Sequence, residues 1–178
     1  MERQSRLAMK ITMGLVGGGL WAASLASTAA STGAPLTVDG ATRALVYGTG
    51  DARFGERLAT LAGSNAEAAR AIGRVAAAAN VDGRTRERAL AALEAAGTTE
   101  AQAAMRAALS SPAAQADAAY PMLVARLAGV ETPSFDTLMY LASVRAAATA
   151  NGEPAIAEAA APVCHRLHQA RAPLAHKR

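Results

Sequence analysis

Apolar residues at helical spacing, cut at short intervals by glycine, proline and capping residues, constrain this chain more than any other feature. From Asp51 onward it reads as a succession of short amphipathic helices, which predicts an all-α fold. Phe54, Leu58 and Leu61 make one stripe of a helix over 52–62 that Gly63 stops. Ser64-Asn65-Ala66-Glu67 has the form in which hydroxyl and carboxylate satisfy each other's backbone donors, opening a helix with Ile72 and Val75 inward that Asp82-Gly83 ends. A third helix, Thr85 to Ala96, turns Leu90 and Leu93 inward and Arg86, Glu87, Arg88 and Glu94 largely outward, with Gly97 as its left-handed cap.

The same grammar continues. Thr99-Glu100-Ala101-Gln102 is a second capping box, followed by Met105 and Leu109 four apart. Ser111-Pro112 supplies a cap and a proline at the first helical position, and Pro121 is expected to kink or break the next helix near Tyr120. Met122, Leu123, Val124 and Leu127 then form a buried stretch closed by Gly129. Thr132-Pro133 repeats the cap-plus-proline start, leading into the broadest apolar face of the chain: Phe135, Leu138, Met139, Leu141, Ala142 and Val144. Asn151-Gly152 stops that helix, and a last one from about Pro154 to Ala172 is interrupted or bent at Pro162.

Residues 1–30 are set apart. Arg3, Arg6 and Lys10 precede an uncharged run from Ile11 to Ala26, and small residues follow, the order of a secretory signal peptide cleaved after Ala29 or Ala30. An uncleaved anchor is the competing reading, but the run is shorter than the roughly twenty residues a span needs and contains Gly17, Gly18 and Gly19. Residues 31–50, rich in glycine, read as a linker with at most a short helix or strand, 51–172 as the helical-repeat domain, and 173–178 as a basic tail. The mature chain fits one domain, exported and without a stable membrane span.

Charge and cysteine usage narrow the classes. The formal charge of +4 falls once the leader is removed. Arg166, Arg171, Lys177 and Arg178 then concentrate the surplus at the end, leaving 31–165 net acidic. With aromatics at 3%, stacking platforms for nucleic acid are missing. Cys164 stands alone, so no internal disulfide forms, and it is expected as a small hydrophobe beside solvated histidines.

Paired, the helices make hairpins starting near residues 51, 84, 112 and 153, a period within the window of helical-repeat arrays. A closed, irregular bundle is the alternative architecture. Residues 86–109 (RERALAALEAAGTTEAQAAMRAAL) resemble one HEAT-type unit, and the continuation through Val130-Glu131-Thr132-Pro133-Ser134 to the Phe135 and Pro154 helices resembles the helical domain of vitellogenin-like lipoproteins and of bacterial HEAT-like secreted proteins. That resemblance implies a short right-handed stack of hairpins offering an interaction surface to another protein in the cell envelope or outside the cell. No β-rich domain of the kind that accompanies lipid carriage in such lipoproteins is expected from these residues, so a lipid partner is possible but without support, and no functional residue carries over.

Catalytic strings of the hydrolase and P-loop types are absent, and the acidic residues sit near helix starts, where they suit the macrodipole. The expectation is an interaction module without catalytic activity or cofactor. Arg86, Arg88 and Arg106, with Arg70 and Arg74, are expected on outward faces of successive helices, either as ordinary surface charge or as the side that binds a partner. The alternative is a periplasmic metal- or haem-binding protein using Cys164, His165 and His168, whose spacing allows one helix face to share ligands. In outline the His168 helix is similar to that of periplasmic b-type four-helix cytochromes, but the mature chain has no methionine before Met105 to serve as their second ligand.

Overall fold

Alanines spaced between leucines let helices approach closely, and the structure, a computed structural model, places such helices in each described stretch. It describes residues 36–48 and 53–167, all within one unit that begins at Pro35. The leader assigned to 1–30, the tail at 173–178, and His168 and His176 lie outside the described residues. The fold is all-α: the described residues form nine helices and a further helical stretch at 162–167, with no strand.

Helix α1, Val38–Tyr47, is capped by the Thr37 hydroxyl, which accepts from the Gly40 amide at 3.2 Å. It buries Ala41 and Leu45, so this part of the expected linker segment contributes to the core. Helix α2, Phe54–Ser64, runs through Gly63 instead of stopping there. The break comes at Asn65, an extended residue whose side chain accepts from the Glu67 and Ala68 amides and opens α3, Ala66–Ala77. Ser64, expected as that cap, instead donates back to the Thr60 carbonyl at 2.9 Å.

Asp82 is likewise a start rather than a stop. Its carboxylate accepts from the Thr85 amide at 2.6 Å and opens α4, Gly83–Ala96, which ends at Gly97 in the left-handed conformation as the sequence predicts. Helix α5, Thr99–Leu109, is capped by Thr98, one residue before the expected Thr99. Ser111 caps the single-turn α6, Pro112–Gln115, and Pro121 sits in the first turn of α7, Tyr120–Gly129, so the expected break falls where Pro121 dictates. Ser134, not Thr132, caps α8, Phe135–Ala150. Helix α9, Pro154–Ala159, is followed by a turn at 160–161, and Pro162 opens the further helical stretch.

Packing follows chain order. α2 lies on α4, α3 on both α4 and α5, α4 and α5 on α7, α5 on α8, and α7 and α8 on α9. Leu90, Leu93, Met105, Leu109, Leu123 and Leu127 are fully buried along this run. Where α3 meets α5, Gly73 faces Ala104 so closely that a methyl group at Gly73 would lie 2.9 Å from the Ala104 Cβ. Arg126 ties α7 to α4, donating to Glu87 at 2.8 Å and Glu94 at 2.9 Å.

α8 departs from the expected broad buried face. Leu138 and Leu141 are buried, Ala142 and Val144 only half-buried, while Phe135 is 61% and Met139 44% exposed. Apolar residues surround this helix, so no single orientation buries them all against a core on one side. Met122, placed in a buried stretch by the sequence, is 46% exposed for the same kind of reason: Leu123, Val124 and Leu127 occupy the inward face of α7.

Candidate functional site

The five arginines expected on one outward side separate into two groups. Arg86 is buried, on the same face of α4 as Leu90 and Leu93. Its Nε donates to the Ala76 carbonyl at 2.9 Å and Nη2 to the Ala78 carbonyl at 3.1 Å, closing the C-terminal end of α3, while Nη1 pairs with Asp117. Arg86 is therefore a tie between α3, α4 and the α6–α7 turn, which corrects its assignment to the surface. Arg106 is half-buried and donates to the Thr137 hydroxyl at 2.7 Å and the Ser134 hydroxyl at 3.3 Å, with Asp136 at 3.8 Å. Only Arg88, Arg70 and Arg74 are exposed.

Thr137 belongs to a buried polar junction that the sequence did not reveal. Gln102, 2% exposed, donates from Nε2 to the Gly97 carbonyl at 2.9 Å and the Thr132 carbonyl at 3.0 Å. Its Oε1 accepts from the Ser134 amide at 2.8 Å and the Thr137 hydroxyl at 2.9 Å. The side-chain amide thus spends both donor hydrogens and its acceptor oxygen on joining the start of α5 to the start of α8. Such a satisfied network holds geometry and leaves no group free for chemistry. Its one sequence signal was the second capping box, whose final position turns inward to serve another helix.

Of the C-terminal candidates, Cys164 is exposed, and the Arg145 guanidinium donates to its sulfur. His165 is exposed beside it, one residue on and so not on the same helix face. Among the described residues no cluster of three or more histidine, cysteine, aspartate or glutamate side chains is placed to hold a metal ion. Arg166, read as part of the terminal basic excess, donates to the Ala128 carbonyl at 3.1 Å and the Val130 carbonyl at 2.6 Å, satisfying the end of α7. Burial, together with Tyr140, pushes the Tyr120 phenol above its ordinary value, so it stays protonated across the physiological range.

Two clefts and one face among the described residues offer binding geometry. Between α1 and α3 a cleft of about 370 Å³ has Asp39, Thr42, Glu67, Arg74 and Asn80 among its walls. Between α3 and α5 a second, of about 390 Å³, has a floor of Gly73, Ala104 and Ala108, with Arg70 and Arg74 on one bank and Glu100 on the other. The face is that of α8, where Phe135 and Met139 lie one turn apart in solvent. No described helix is long and apolar enough to cross a membrane. Neither a family model, nor a curated protein, nor a solved structure matches this chain.

Proposed function

We propose that this chain is an exported interaction module without catalytic activity, built as a short HEAT-like stack of helical hairpins that binds another protein in the cell envelope or outside the cell. The exposed apolar side of α8 carries this reading. A helix with apolar residues on all sides has a solvent-facing Phe135 and Met139, and large exposed apolar groups grouped on one face are what a protein-binding surface offers. The order of packing supports the stack: α2, α4 and α7 follow one another, and α3, α5 and α8 do so beside them, as in an array where each hairpin touches its neighbours. The charged, apolar and small-residue order of residues 1–30 supports export.

Site-specific photo-crosslinking in the source cells tests the binding face. Crosslinkers at positions 135 and 139 are expected to give one discrete protein adduct that a crosslinker at the exposed Arg84 position does not give. Absence of that adduct, or an identical pattern from all three positions, rejects the α8 face. Export is checked separately by N-terminal sequencing of protein from the extracytoplasmic fraction, which is expected to begin at Ala30 or Ser31 and not at Met1.

A further inference from the structure

The α3–α5 cleft differs in chemistry from the α8 face and stands independently of it. Its floor is shallow and methyl-lined because Gly73 and Ala104 bring the two helices together, and Ala103 and Ala107 on the outer bank of α5 are exposed. Small side chains on both helices leave room for the backbone of a third helix to lie in the valley between them. Arg70 and Arg74 stand along the α3 bank one turn apart, both exposed, and neither makes an ion pair with a described residue. Arg86, Arg126 and Arg166 have spent donors on carboxylates or helix-end carbonyls, and Arg106 on the Ser134 and Thr137 hydroxyls; Arg70 and Arg74 make no such bond to a described residue.

We infer that the α3–α5 cleft binds an acidic, alanine-rich helical segment of another protein, with carboxylates four residues apart set against Arg70 and Arg74. Side chains at i and i+4 on a helix lie about 5–6 Å apart, so a matching pair of glutamates on the docked helix meets the arginine pair in register. Glu100 on the opposite bank selects for a basic or neutral residue on that edge and so fixes which way round the helix lies. Charge rejects the other occupants at hand. The leader carries Arg3, Arg6 and Lys10, and the C-terminal end carries Arg171, Lys177 and Arg178, so both are repelled by the arginine bank. A second copy related by a two-fold axis brings two arginines to each Glu100, leaving one guanidinium per copy without a counter-charge.

The test uses the full chain and a labelled synthetic alanine-rich helical peptide with glutamates four residues apart, followed by fluorescence anisotropy. A matched peptide with lysines in place of the glutamates is the control. The glutamate peptide is expected to bind and the lysine peptide not to, with affinity falling as salt is raised. The Arg70→Glu/Arg74→Glu variant, altered only at exposed positions, is expected to weaken binding about tenfold or more. Ala107→Trp, which fills the valley from an exposed position, is expected to weaken it as well. Equal binding of both peptides, or none, overturns the inference. So does a loss on charge reversal without any loss on Ala107→Trp, which would mean attraction to a charged surface with no seated helix. Sedimentation showing a dimer that dissociates on charge reversal would make the cleft a self-interface and overturn it too.

Discussion

Arg86 on α4 and Asp117 in the turn before α7 form a buried ion pair across 31 residues of chain, and the other guanidinium nitrogens of Arg86 hold the carbonyl end of α3. Three segments therefore depend on one side chain. Asp117→Ala leaves the guanidinium charged and buried without its counter-ion, and is expected to destabilise the fold by about 3 kcal/mol, the lower end of the usual range because Asp117 is 13% exposed. Arg86→Met combined with Asp117→Ala is expected to be less damaging than Asp117→Ala alone. Urea denaturation midpoints check both.

Gln102 is the second buried polar tie. Gln102→Met keeps the volume but strands two carbonyls, the Ser134 amide and the Thr137 hydroxyl, a loss of about 2–3 kcal/mol. The effect is expected to be local as well. Hydrogen exchange at Ser134 and through the first turn of α8 should accelerate more than exchange in α3.

What could be read from the residues follows how local the deciding interaction is. Gly97, Ser111-Pro112, Pro121 and Asn151-Gly152 mark helix ends by backbone conformation or a missing amide, so the sequence places them well. Where two capping residues compete within a few positions, as with Ser64 and Asn65, Thr98 and Thr99, or Thr132 and Ser134, tertiary packing chooses between them, and the spacing alone chose the wrong one. Charge argues for an outward Arg86, although its spacing to Leu90 and Leu93 puts it on their face. Its partner, 31 residues on, has no local signature. The α3–α5 cleft was hidden for a related reason: Arg70 and Arg74 were visible in the sequence, but the valley beside them exists only once α5 is in place.

Two glycines in neighbouring helices should respond to alanine with opposite sign. At Gly73 the added methyl meets the Ala104 Cβ at 2.9 Å and its carbonyl oxygen at 3.1 Å, a backbone neighbour that cannot swing away, so Gly73→Ala is expected to cost about 1–3 kcal/mol. At Gly55, in the first turn of α2, nothing lies within 4 Å, and Gly55→Ala is expected to stabilise by about 0.4–1 kcal/mol through reduced freedom of the unfolded chain. A thermal midpoint that rises or stays unchanged for Gly73→Ala would reject the close α3–α5 approach.

Burial also ranks the apolar positions. Leu93 and Leu141 are fully buried, so Leu93→Ala and Leu141→Ala are each expected to cost about 2–5 kcal/mol. Val144, half-buried at the edge of the core, is expected to lose about 1 kcal/mol or less on truncation. Equal losses at Leu141 and Val144 in chemical denaturation would mean that α8 is rotated about its axis relative to the register described.

Asp82 supplies a pH dependence whose sign is fixed by its cap. The Thr85 backbone hydrogen bond holds the carboxyl below its ordinary value, and the nearby Arg84 and Arg88 act in the same direction. A depressed folded value means that the charged form is favoured by the native state. Its stabilisation is therefore fully present above the ordinary carboxylate value of about 4 and is lost as pH falls through the lower, folded value. Asp82→Asn keeps an oxygen acceptor at the cap but has no charge to titrate. The wild type is thus expected to be the more stable of the two near neutral pH, with its advantage shrinking as pH is lowered below about 4. Following the Asp82 carboxyl carbon by NMR should give a midpoint below that ordinary value. A midpoint at or above it would show that the Thr85 amide is not held by this carboxylate in solution, and with it that α4 begins elsewhere.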